Sequence, residues 1–250
     1  RTRASTCSCE SHRQRRRAGG SLDIKLTSCA WRCVPVFDSA RFSEAAAEYE
    51  LAAYSYAQAP EAGRAGYAAL VAYDKAEALL PEAERPALRL RAIDSSLRFA
   101  STFPNHAETP AVLARTTKAL FDAGDRERAE AVAHQVLALG PRADVGQQRV
   151  AWTVLAHTYF DTGRFAEAEQ AYAEVASRLP ANDPQAAEIT ERRATSVDRQ
   201  AEARQAAGDS AGAVREYLRV ASVAPASPAR AKAEFDAAAL LLTARQWEQA

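Results

Sequence analysis

From about residue 110 onward, apolar side chains recur every three to four positions, the spacing that puts one oily stripe along an α-helix. The clearest window holds Trp152, Leu155, Ala156 and Tyr159 at i, i+3, i+4 and i+7, and predicts a helix. Past Gly163, a residue that suits a tight turn, Phe165, Ala168, Tyr172 and Val175 mark a second helix. Pro180 then prevents further helix, because its ring removes a donor and clashes with the preceding turn. Small Ala156 and Ala168 predict close approach of the two helices, with Trp152, Tyr159 and Tyr172 filling the flanks.

The same pattern returns. Gly124, Gly163 and Gly208 are each followed by Ala five residues on, Val twelve on and Pro seventeen on. Three hits at identical offsets define a repeated helix–turn–helix unit. Copies are expected over 110–143, 149–182 and 184–227, the last with a first helix lengthened by residues 183–193 and started by Pro184. A further copy, 231–250, keeps Ala238, Leu241, Trp247 and Ala250 in step and stops inside its second helix. Upstream, Phe42, Ala45, Tyr49 and Ala52 read as the second helix of a hairpin at about 37–58, and residues 61–104 as an irregular hairpin closed by Pro104. One hairpin cannot hide its apolar face alone, so neighbours must stack.

Composition agrees with helices. Of 250 residues 48% are apolar, and 60 are Ala, the best helix former, while aromatics are only 8%. A β-sandwich or barrel is excluded on that basis. The longest uncharged apolar run, Ala237 to Ala244, is far below the roughly 18 residues of a membrane helix. With Met 0 and an end at Arg245–Ala250 in mid-pattern, the sequence reads as cut at both ends.

The formal net charge of zero conceals an asymmetry, since the first 33 residues carry seven Arg and Lys25 against Glu10 and Asp23. All four Cys (Cys7, Cys9, Cys29, Cys33) lie there too. A basic arm can hold nucleic acid by counterion release. The preferred reading of residues 1–36 is an irregular segment without helical period. Cys7-x-Cys9-x-x-His12 with Cys29-x-x-x-Cys33 is a poor zinc pattern, because its first pair encloses a single residue.

With Trp152, Leu155, Tyr159, Gly163, Phe165, Ala168 and Pro180 in place, the chain from about residue 40 resembles the tetratricopeptide repeat family. It departs by having Ala156 where the family often has Gly. The resemblance implies an all-α, right-handed α-solenoid of stacked antiparallel hairpins over 37–250. It also implies a concave groove lined by the first helices. The implied groove residues are Ala114, Lys118, Phe121 and Asp122, then Thr153, His157, Phe160 and Asp161, then Asp198, Glu202 and Gln205, and finally Lys232 and Phe235. Phe121 and Phe160, each beside an Asp, suggest apolar anchors with acidic rims that suit a peptide or helix carrying basic and apolar side chains. Lys118 is the one basic candidate in the two best copies, so the resemblance does not extend to a clamp for a partner's terminal carboxylate.

Chemistry is otherwise sparse. The four His (12, 106, 134, 157) form no H-x-x-x-H or H-E-x-x-H spacing, and no G-x-S-x-G or phosphate loop is present. The sequence therefore predicts a non-catalytic interaction scaffold with no cofactor, metal or small-molecule substrate. The alternative is a regulatory or docking arm of a larger enzyme. The segment Phe103-Pro104 to Ala111 resembles the joints of bacterial envelope tetratricopeptide proteins, and 28 Arg to 4 Lys fits a GC-rich genome. A periplasmic or envelope location is expected, with the cytoplasm as the alternative.

Overall fold

The computed structural model describes residues 41–243, apart from 56, 58 and 181. The basic segment with its four Cys and His12, and the end with Trp247 and Ala250, lie outside the described residues. Ten α-helices and two short 3-10 turns make up the described elements. The chain divides into two compact units, one up to Val112 and one from Leu113.

In the first unit, α1 (Phe42–Ser55), α2 (Ala62–Leu79) and α3 (Arg85–Thr102) pack in succession, with a 3-10 turn at Glu82–Glu84 before α3. The α1–α2 contact is built from alanines: Ala45, Ala46 and Ala72 meet at one level, Ala52, Ala53 and Ala65 at the next. Helix α2 approaches α3 through glycine. A Cβ on Gly66 would meet the Phe99 ring at 2.9 Å, and one on Gly63 would meet His106 at 2.9 Å. Phe99 is fully buried and stands in an aromatic cluster with Tyr67, Phe103 and His106. The joint after α3 is tied down by its own bonds. The Thr109 hydroxyl donates to the Phe103 carbonyl at 2.7 Å, and the Glu108 amide donates to His106 Nδ1 at 3.2 Å.

The second unit takes in α4 (Thr109–Asp122) from Leu113 on. It continues with α5 (Arg126–Ala138), α6 (Val145–Asp161), α7 (Phe165–Ser177), α8 (Ala186–Ala206), α9 (Ser210–Val223) and α10 (Pro228–Thr243). From α5 onward each helix packs on the next, and α8 also touches α10. This is the antiparallel hairpin stack that the repeat predicts. The turn glycines Gly124, Gly163 and Gly208 have φ of 82°, 76° and 82°, the left-handed region that other residues enter at a cost. Tyr172 and Tyr217, nine residues past their turn glycines, are both fully buried, with Val175 and Val220 beside them.

Two helix starts differ from the sequence reading, and α8 is one of them: it begins at Ala186, two residues past Pro184. Helix α6 starts at Val145, four residues before Arg149, because Asp144 and Gln147 form a reciprocal capping box. Helices α5, α7 and α9 stop at Ala138, Ser177 and Val223, ahead of Pro141, Pro180 and Pro225. Proline disfavours helical geometry in the residue before it and cannot donate an intrahelical bond from its own position. Asp125 and Asp209, directly after their turn glycines, cap α5 and α9 by accepting from the Arg128 and Gly212 amides. Such a cap contributes about 1 kcal/mol. Arg164 occupies the equivalent place in the best copy and makes no cap bond.

Gly66 and Gly163 are needed for different reasons, and substitution separates them. An added Cβ at Gly163 meets nothing within 4 Å, so Gly163→Val costs roughly 1 kcal/mol or more through backbone strain alone. Gly163→Asn recovers part of that, since Asn tolerates left-handed geometry. Gly66→Ala costs about 1–3 kcal/mol by overpacking against Phe99, and Gly66→Asn is no better. Urea midpoints followed by helicity check both pairs.

Candidate functional site

In the second unit, the repeat register assigns one strip of side chains to the first helices α4, α6, α8 and α10. On α4, Lys118 and Asp122 are exposed and pair with each other at 2.6 Å, one helical turn apart. Phe121 is half-buried between one cation and a ring. The Arg126 guanidinium lies 4.1 Å from its centroid, and the His157 ring of α6 stands 5.8 Å away. Arg126 also donates to the Phe121 carbonyl at 2.8 Å and pairs with Asp161 at 3.2 Å.

His157 is the hub of the strip. Its Nδ1 lies 2.9 Å from the hydroxyl of fully buried Tyr172, and the two rings meet edge to face. Burial raises the pKa of the same phenol, and the charge of Arg192 on α8 opposes it by favouring the ionised form. Thr153 gives its hydroxyl back to the Arg149 carbonyl one turn earlier. Phe160 packs edge to face on Phe165 at 5.5 Å, inside its own hairpin turn.

Farther along, Asp198 is buried and accepts from Lys232 Nζ at 2.9 Å, while its Oδ1 is buried without a partner. Lys232 also reaches Glu202 and Asp236, each at 3.2 Å, so one ammonium serves three carboxylates. Its pKa is raised: burial works against the charge, but the bonds to Asp198, Glu202 and Asp236 outweigh it. Glu202 is held below the usual carboxylate range, because Arg199 and Lys232 outweigh the opposing effect of burial. Gln205 accepts from the Tyr217 hydroxyl at 3.0 Å. Phe235 is 73% exposed, and Ala114 is buried.

Sequence reasoning found Lys118 and Lys232 but missed the arginines. Arg126, Arg192 and Arg199 carry no repeat signature, and Lys232 was expected in the groove without its acidic company. As a result Asp122, Asp161, Asp198 and Glu202 each already hold a positive charge of the same chain. Away from the strip, bidentate ion pairs brace successive hairpins. Arg164 grips Glu130, whose pKa is lowered by that bond. Arg219 grips Glu169 at 2.6 and 2.8 Å, and Gln200 adds a third bond. Burial pushes Glu169 up, yet these donors outweigh it and hold its pKa below the usual value. Among the described residues no group of three or more His, Cys, Asp or Glu is arranged to hold a metal ion. No described helix is long and apolar enough to cross a membrane.

Burial and the field of Arg192 lower the pKa of His157, against the opposing pull of Asp161 and Glu188. The folded chain then binds fewer protons at this site than the unfolded chain, so the histidine's stability contribution is fully present above about pH 6.5. It is lost as pH falls from there toward the depressed folded value. His157→Gln leaves an acceptor for Tyr172 and removes this part of the slope. Urea midpoints at pH 7 and pH 5 should therefore differ less in the variant than in the parent chain. The lowered carboxylates Glu130 and Glu169 act in a separate, more acidic window.

No protein-family model matches the chain, and no curated protein matches it. Among solved structures it is similar to the crystal structure of PilW, a widely conserved type IV pilus biogenesis factor. Identity is 14% and the TM-score 0.35, over 85% of this chain and 99% of that one.

Proposed function

We propose that the chain is a non-catalytic scaffold that binds a peptide or helix of a partner protein along the strip on α4, α6, α8 and α10. One observation carries the reading. Side chains that the register assigns to first helices meet across hairpin boundaries, Phe121 with His157 and Lys232 with Asp198 and Glu202. They therefore form a shared surface instead of isolated hairpin faces. Half-buried Phe121 and exposed Phe235 offer apolar anchors along it. A basic partner residue enters by exchange, taking a carboxylate from Lys118, Arg126 or Lys232. The joint at Phe103–Ala111, with its resemblance to envelope proteins, supports a role in bacterial envelope assembly.

Selection of a displayed peptide library against the full chain tests the proposal. Selected peptides should lose roughly tenfold or more in affinity on Phe121→Ala, the size of one anchor, with helicity unchanged. Leu218→Ser, an exposed position on the second helix α9, should leave affinity intact. Binding that follows Leu218 and ignores Phe121 refutes the strip.

A further inference from the structure

The first unit holds an open pocket of about 420 Å³, within the range of ligand-sized sites. Tyr49 of α1, Tyr67 and Val71 of α2, and His106 of the joint form its walls, with Arg64 and Glu108 as its charged members. It is built rather than accidental. Gly63 lets the His106 ring lie against α2, where a Cβ would collide with it. The ring stacks on Tyr67 at 6.1 Å, and the Glu108 amide donates to its Nδ1. That bond makes Nδ1 an acceptor, which leaves Nε2 as the N–H of the ring.

The charges are lopsided. Arg64 is 79% exposed at the rim and pairs at 3.1 Å with Glu61, a carboxylate beyond the lining that offsets most of its charge. The Glu108 carboxylate pairs with no cation among the described residues. The site thus combines aromatic faces with one uncompensated negative charge, the arrangement that attracts an organic cation. The chain packs its own cations in the same manner: Arg98 over Tyr54 at 3.7 Å, Arg126 over Phe121 at 4.1 Å and Arg164 over Tyr159 at 4.3 Å.

We infer that this pocket receives the cationic side chain, lysine or arginine, of a partner polypeptide. The inference does not depend on the strip of the second unit, and small probes test it without reference to that surface. Amide chemical shifts of the full chain are followed during titration with the blocked amino acids N-acetyl-arginine methylamide and N-acetyl-lysine methylamide. Blocked citrulline, norleucine and glutamate serve as neutral polar, neutral apolar and anionic controls. The cationic probes should shift Tyr67, Val71 and His106 saturably and bind at least roughly fivefold tighter than the neutral ones. Glu108→Gln should erase that preference with the spectrum otherwise preserved. Arg64→Ala should tighten cation binding by removing a like charge and freeing Glu61. Equal binding of the norleucine probe, tighter binding of the glutamate probe, or no shift at these residues with any probe overturns the inference.

Discussion

Alanine dictates this architecture. A helix faced with Ala exposes an apolar stripe too shallow to interdigitate deeply, so it escapes water only when another helix lies almost backbone to backbone against it. Ala45, Ala46 and Ala72 do this in the first unit, and Ala194, Ala201, Ala213, Ala233 and Ala237 in the second. Every other feature serves that contact. Turn glycines reverse the chain sharply enough for immediate return, and prolines stop a helix before it outruns its partner. Buried tyrosines add the area that alanine lacks.

That shallow packing explains why polar bonds carry so much of the specificity. A wall of methyl groups is nearly the same at every register, and dispersion alone distinguishes one offset from the next weakly. The Asp125 and Asp209 caps and the Asp144–Gln147 box fix where helices begin. Tyr172 with His157 and Tyr217 with Gln205 fix which turn of one helix faces which turn of the other. Arg164, standing where the other copies carry a capping Asp, instead clasps Glu130 and covers the Tyr159 ring. The hairpin closest to the repeat pattern thus gives up a local bond for a longer-range one.

What could be read before the structure was known follows the range of each interaction. The turns at Gly124, Gly163 and Gly208 are encoded within a few residues, and their offsets exposed both the hairpins and the buried Val and Tyr positions. Asp144–Gln147 was equally local and was overlooked because the repeat frame began at Arg149. Gly63 and Gly66 could not be understood locally, since their purpose is to admit Phe99 and His106, which lie some 30 to 40 residues away in the chain. The same holds for the strip. Its members, Lys232 included, were placed by register, but Arg126 and Arg192 come from outside that list, and a register says nothing of which cation will face which carboxylate. The acidic rims expected from Asp122 and Asp161 at their register positions carry ion pairs with Lys118 and Arg126.

The braces at Glu130–Arg164 and Glu169–Arg219 have a mechanical consequence. They connect α5 to the residue that precedes α7, and α7 to α9, so each ties the second helices of successive hairpins. Both arginines are more than a third exposed, so dissolved ions reach them. Salt therefore weakens these two braces while leaving the alanine packing between neighbouring helices untouched.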